Sequence, residues 1–557
     1  MAGPGRPSAI AGLAVLLAGP VAAQVVERHL PPDTAPAQAP ARIDGAATPP
    51  EADDRPIGPT LIAIALLSAD EPVAGDAGPG VRLGHVSPPR ARRLIRRLTP
   101  FLARRLSRKL IADVVATVIR SYRAAGRPFV SVTTPEQELT GGTLSLRVVE
   151  FRAARLVVHG SSVADAARVA RRLRFPAGAP IDAPALRQDL AWLDRYPFRG
   201  IGTVFAAGER PGTTDLTVTA TPTRRWRAFA GIGSSDAPSS GDARYFAGAV
   251  IGGVIGPDSI VSAQATTSGF DDPAYLGLAG RLVAPLGPRR ELTLLAVHVR
   301  GHATAAPFSS RTATVQGSLD LRFALPAMFA GDGRVGVEAG RQVIDARFGD
   351  VPIYRLETTT LAVFAGYGAA ARLPGGSLSV ELALHFSPGG IGRGNGADRL
   401  FFGRPGGGSA TYAYLTADVS GDHRLGPLLV WQGRLILQAS GTPLPPLDQI
   451  GLGGSGYVRG YTLDDGGYDS AAILRNGLVL MRRAGVQRFS PCLLADIGRG
   501  RYHGRAPDRT FASIGLGGDR TFGNGARLHL DAALPLIDGV RTVALRPRIM
   551  VNVQAGL

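Results

Sequence analysis

The 557-residue chain carries 73 glycines, 43 prolines and a formal charge of +18, with arginine in nearly every basic position and Lys109 the sole lysine. No stretch reaches the roughly 20 apolar residues that a helix needs to cross a bilayer, so a membrane-spanning form of this chain has to be a closed barrel. The basic residues are spread over every segment rather than gathered in one stripe. That argues for a solvated positive face and a charged barrel interior, and against nucleic acid as a partner. The single cysteine, Cys492, excludes an internal disulfide and a cysteine metal cluster.

At the N-terminus, Arg6 and the α-amine precede an apolar run from Ala9 to Ala18, which Gly19-Pro20 breaks. Val21-Ala22-Ala23 then supplies the small residues of a cleavage site, so residues 1–23 are expected to be a secretory signal peptide. Residues 24–59 are rich in Pro, Ala and Asp without apolar period and read as a flexible linker.

Two small α/β domains are expected next, over residues 60–150 and 151–222. Leu61 to Leu67 is a short apolar strand, followed by an Arg-rich helical stretch from Pro89 that is interrupted at Pro100. Leu106, Leu110, Ile111, Val114, Val115 and Val118 recur at helical spacing opposite Arg105, Arg108 and Lys109, which predicts an amphipathic helix packed on a sheet. Gly126 closes it, Phe129 to Val132 reads as a strand, and Gly141-Gly142 turns into the alternating strand Thr143 to Val148. The second domain has a strand at Arg155 to His159, helices at Val163 to Leu173 and Pro184 to Asp194, and strands at Gly202 to Ala206 and Thr214 to Thr219. The order β-α-α-β-β fits a two-layer α/β fold. Gly141-Gly142-Thr143-Leu144-Ser145-Leu146-Arg147-Val148-Val149-Glu150 and Leu193-Asp194-Arg195-Tyr196-Pro197-Phe198 resemble the POTRA modules of outer-membrane transporters.

From about residue 223 to the end the helical period gives way to alternating strands. Val315, Gly317, Leu319, Leu321 and Phe323 alternate with Gln316, Ser318, Asp320 and Arg322, and Leu528, Leu530 and Ala532 with Arg527, His529 and Asp531. One apolar and one charged face, repeated over segments of ~9–11 residues or more, fits a membrane barrel with lipid outside and water inside. Strand starts are expected near Arg224, Arg244, Asp258, Ala274, Glu291, Arg311, Arg334, Thr358, Ser377, Ala410, Leu428, Ala471, Phe489, Thr510, Ala526 and Val543. These make a transmembrane β-barrel of sixteen antiparallel strands, preceded by the two α/β domains.

A long loop, Gly441 to Ser470, separates the eleventh and twelfth strands and contains Val458-Arg459-Gly460-Tyr461. On residue chemistry alone two readings stand: an extracellular loop with a solvated Arg459, or a loop folded into the lumen. In the second, the guanidinium needs a carboxylate to offset its desolvation. Val458-Arg459-Gly460-Tyr461 resembles the signature loop motif of the haemolysin-activation and secretion transporters, the two-partner secretion family. The resemblance implies that the loop enters the lumen and that Arg459 meets an aspartate of a wall motif on the thirteenth strand. Leu494-Ala495-Asp496-Ile497-Gly498 is similar to that motif at Asp496 and Gly498, while Leu494 departs from it.

The resemblance further implies an outer-membrane pore whose periplasmic domains recognise a secreted passenger exoprotein, of haemolysin or adhesin type, and pass it out unfolded. It also implies surrounding outer-membrane lipid and dependence on barrel assembly machinery during biogenesis, although the chain ends in Leu557 where family members often end in phenylalanine. An assembly factor for other barrels and a passive porin are the rival functions. No enzyme active site, cofactor site or metal site is visible. His298 and His302 have helical metal-site spacing, but in a strand they stand ~13 Å apart.

Overall fold

The structure is a computed structural model. It describes residues 53–556 apart from 74–77, 306, 327, 328, 330, 405, 482–488, 505, 506 and 524. The expected signal peptide, most of the linker and Leu557 lie outside the described residues. The described residues fall into two compact units, divided between Thr223 and Arg224.

The first unit holds two α/β layers. In one, strands β1 (Pro56–Thr60), β2 (Ala63–Leu67) and β3 (Gly80–Leu83) precede helix α1 (Ala91–Leu98), then β4 (Arg105–Ser107), helix α2 (Arg108–Ala124), β5 (Val130–Thr133) and β6 (Thr143–Glu150). The main sheet has the order β3-β2-β6-β5, with β2 parallel to both neighbours and β5 antiparallel to β6. All five β2 residues are buried, as a continuous apolar run in a central parallel strand requires. Leu110, Val114, Val118 and Tyr122 turn one face of α2 into a core shared with Leu61, Ile64 and Leu66, and with Leu144 and Leu146 of β6.

Two expectations are corrected in this layer. Leu106 and Arg105 belong to β4 rather than to the helix, because the Ser107 hydroxyl accepts the Leu110 N–H and caps α2, which begins at Arg108. Pro56–Thr60, expected at the end of the linker, pairs with Arg105–Ser107 in a two-stranded ribbon, an edge position where a proline without an N–H is tolerated.

The other layer comprises β7 (Arg152–His159), α3 (Val163–Ala170), α4 (Ala183–Asp194), β8 (Arg199–Ala207) and β9 (Thr213–Pro222), with sheet order β7-β9-β8. Leu216 and Val218 of β9 pack on Leu186, Leu190 and Leu193 of α4. Asp189, on the same helix, is fully buried and offset by Arg174, whose Nε and Nη2 both donate to its carboxylate.

The second unit is a closed sixteen-stranded antiparallel barrel. Its first eleven strands are β10 (Trp226–Ser234), β11 (Ala243–Gly252), β12 (Ile260–Thr267), β13 (Tyr275–Gly287), β14 (Arg290–Ala305), β15 (Phe308–Ala324), β16 (Asp332–Phe348), β17 (Val351–Leu373), β18 (Gly376–Ser387), β19 (Tyr412–Arg424) and β20 (Leu429–Ser440). The long loop follows and carries its own short pair, β21 (Ile450–Gly451) and β22 (Gly467–Tyr468). The wall then resumes with β23 (Ser470–Leu480), β24 (Ser490–Arg501), β25 (Arg509–Thr521), β26 (Arg527–Pro535) and β27 (Arg548–Gly556). Closure is by β10 on β27, over Phe229–Gly233.

Alternation sets the two faces. Val315 and Leu319 are 52% and 42% exposed on the outside, whereas Asp320 is buried inside and pairs with Arg334 at 3.2 Å. Two strand starts differ from expectation: β17 begins at Val351 rather than Thr358, and β27 at Arg548 rather than Val543. In β17 the outward residues Arg355 and Glu357 are charged and interrupt the apolar outer face after Val351 and Ile353, so the alternation is readable only further along the strand. Residues near Val543 are held as loop, since Asp465 accepts the backbone N–H groups of Arg541 and Thr542.

Burial at the C-terminal end of α4 pushes the Asp194 carboxyl up from 3.8 to about 6, and the negative helix end acts in the same direction. The folded state therefore holds a proton that the unfolded chain has released, and stability falls as pH rises through that window. Asp194→Asn is expected to raise the urea midpoint of the α/β unit at pH 7.5 and to flatten its dependence between about pH 4 and 6. Trp192 fluorescence in a Trp226→Phe/Trp431→Phe background reads this directly.

Candidate functional site

The long loop lies against the inward faces of β23 to β26. On β24, Leu493 and Ile497 face outward, more than half or half exposed, while Leu494, Asp496, Gly498 and Gly500 face inward and are buried. Arg459, at the tip of the loop, makes three charge-assisted contacts with Asp496. Its backbone N–H donates to Oδ2 at 3.1 Å, Nε to Oδ2 at 2.7 Å and Nη2 to Oδ1 at 2.6 Å. Nη2 also donates to the Asn476 carbonyl, and Nη1 stands 3.9 Å from Asp531 on β26. Both carboxylates are almost completely buried, and the Arg459 side chain is 9% exposed. This is the planar fork-on-carboxylate geometry that fixes direction as well as distance.

The neighbours in the motif have separate jobs. Val458 is fully buried with Leu452, Ile473 and Phe511. A Cβ on Gly498 would stand 2.8 Å from the Val458 side chain, and one on Gly500 would stand 2.5 Å from the Tyr468 ring. The wall glycines thus make room for the loop's apolar side chains. Gly460 has φ +90° and passes close to Ala533 and Pro535, a conformation and an approach that a side chain would strain. Tyr461 stacks on Phe511 with ring centroids 4.3 Å apart, and its hydroxyl lies 2.7 Å from the Ile537 carbonyl and 3.0 Å from that of Ala512. Val458, Arg459, Gly460, Tyr461, Asp496 and Gly498 are therefore brought together in one buried cluster.

Sequence reasoning misses several further anchors. Asp465 caps its own short turn through Thr462 and reaches the loop between β26 and β27. Asp236, between β10 and β11, accepts from the Ser455 N–H and hydroxyl. At the base of the loop Asp469 forms a buried pair with Arg404 at 2.5 Å and also accepts the N–H groups of Leu444 and His503. Thr462-x-x-Asp465 is the one local signal, a capping box. Cys492 shares the inward parity of Asp496. Among the described residues, no group of three or more His, Cys, Asp or Glu side chains is placed to hold a metal ion.

The family model for the haemolysin secretion/activation protein ShlB/FhaC/HecB matches residues 212–519, from the last strand of the α/β unit into β25. The chain belongs to that family. Its barrel is an outer-membrane barrel of two-partner secretion type, and its upstream α/β layers are POTRA-like. CdiB from Escherichia coli is similar in fold, with TM-score 0.66 and 16% identity over 96% of this chain and 95% of that one. CdiB from Acinetobacter baumannii gives TM-score 0.61 and 15% identity over 89% of this chain and 90% of that one. No curated protein sequence matches the chain.

Removing one partner of a buried ion pair leaves an uncompensated charge and costs about 3–5 kcal/mol. Arg459→Ala and Asp496→Ala are each expected to lower the thermal midpoint of barrel unfolding, read by heat-modifiable gel mobility, with the double variant less destabilised than the sum of the two. Additive losses would show that the two side chains act independently.

Proposed function

We propose that this protein is the outer-membrane pore of a two-partner system that captures one unfolded exoprotein and secretes it. The family match carries this reading, since it spans both the end of the POTRA-like unit and most of the barrel. The POTRA-like layers lie in the periplasm and bind the passenger by adding its extended chain to an exposed sheet edge, for which β3, β5 and β8 are outer strands among the described residues, the start of β7 being already bridged by Pro180. Backbone hydrogen bonds then supply affinity without strict sequence, and the arginines of α1 and α2 steer an acidic passenger. Transport draws on no nucleotide; folding of the passenger outside pulls it forward. The protein carries out no chemistry of its own.

Within the barrel, the loop held by Arg459 and Asp496 occupies part of the lumen in the resting state and stabilises a conversion-competent arrangement. An assembly factor that inserts other barrels, or a passive porin, are the functions this reading has to beat. Co-expression with an exported protein encoded beside this one distinguishes them. The wild type is expected to bring that protein into the medium, and deletion of residues 56–222 to abolish export while the barrel still reaches the outer membrane. Failure of the wild type to export it, with other barrels misassembling when the protein is absent, would replace secretion with assembly.

A further inference from the structure

His298 and His302, too far apart for a shared ion, both point outward from β14, and Arg300 lies between them on the same face. Cross-strand pairing sets Arg311 of β15 directly beside His302. The four residues sit towards the Ala305 end of β14, the end of the barrel remote from Trp226, on the surface that meets lipid. Charges there are costly unless they meet a headgroup. Further round the same face, Arg341 pairs with Glu357 and Arg355 with Asp345, so those cations are already matched. Arg300 and Arg311 form no ion pair among the described residues; Arg300 donates to His298 Nε2 at 3.1 Å, and Asp345, the one acid opposite Arg311 in register, is engaged by Arg355.

Immediately below this cluster the outer wall is recessed. Ala249, Ala263, Gly280 and Ala296 form one cross-strand row from β11 to β14, and Leu278 and Val315 rise beside it. The recess is a groove of about 700 Å³ with an almost wholly apolar lining, ending at His298. The next row towards Trp226 is bulky again, with Leu282, Leu294 and Leu319. A groove floored by alanine and glycine on a surface otherwise covered by leucine and valine lets a hydrocarbon chain approach the sheet closely.

We propose that this groove binds one acyl chain of a phosphorylated outer-leaflet lipid, with its phosphate held by Arg300 and Arg311. The charge complementarity selects the occupant: a lipid with an anionic headgroup satisfies both guanidinium groups at the depth where the apolar recess begins. Placement in the outer leaflet rests on the topology of the proposed secretion function, with the chain entering the barrel from the periplasm. The binding itself does not depend on secretion.

The test is native mass spectrometry of the full-length protein in detergent, titrated with bis-phosphorylated lipid A and with its dephosphorylated form. Wild type is expected to retain the phosphorylated lipid, and Arg300→Ala/Arg311→Ala to bind it roughly 10- to 30-fold more weakly. Ala296→Phe, which fills the groove from the outside, is expected to weaken it comparably, whereas Arg499→Ala, on the outer face of β24, leaves it unchanged. Equal retention of both lipids, or wild-type affinity in the double variant, would overturn the headgroup site. Wild-type affinity in Ala296→Phe would overturn the groove, and so would loss of a dimer in that variant with lipid binding intact, which would make a second copy the occupant.

Discussion

The interior of this barrel is organised around one buried ion pair. Arg459 and Asp496 are both removed from bulk water, and neither is tolerable there alone. Their mutual geometry fixes the tip of a loop to one strand of the wall. The consequences are visible in the residues around it. Gly498 and Gly500 lack side chains where Val458 and Tyr468 press against the wall, Gly460 takes the left-handed turn that aims the guanidinium, and Tyr461 locks the exit of the turn to β25 and to the loop between β26 and β27.

The same loop is tied at its other points by carboxylates: Asp465 to the loop before β27, Asp236 to Ser455, and Asp469 to Arg404. Anchors distributed over several loops hold a segment rigid while each remains individually breakable, since a hydrogen bond to a charged group contributes about 1.5–3 kcal/mol. Under the proposed secretion function, such a set of separate non-covalent anchors lets the loop stay in place at rest and still be released.

Much of this is legible in the sequence because the controlling patterns are local. Alternation of Leu319 and Leu321 with Asp320 and Arg322 sets a strand and its two faces without reference to distant residues. Where the pattern misplaces an edge, the cause lies elsewhere in the molecule. Arg355 and Glu357 face outward where β17 carries a charged outer surface, and the Val543 region is kept irregular by Asp465, 77 residues from Thr542. Arg459 and Asp496 are reachable through the motif resemblance; Asp236 and Asp469 are not, because an aspartate whose partner lies 219 or 65 residues away leaves no spacing to read. The outward cluster of Arg300 and Arg311 needs strand parity and register together before it can be seen as one surface.

Secretion itself is the most direct measurement of the loop's role: export of the co-encoded passenger by wild type, Arg459→Ala, Asp496→Ala and the double variant, with barrel levels in the outer membrane matched. Export is expected to be lost in both single variants, with no further loss in the double, since the two side chains form one unit. Undiminished export by Arg459→Ala and Asp496→Ala at equal barrel levels would contradict a functional role for the pair.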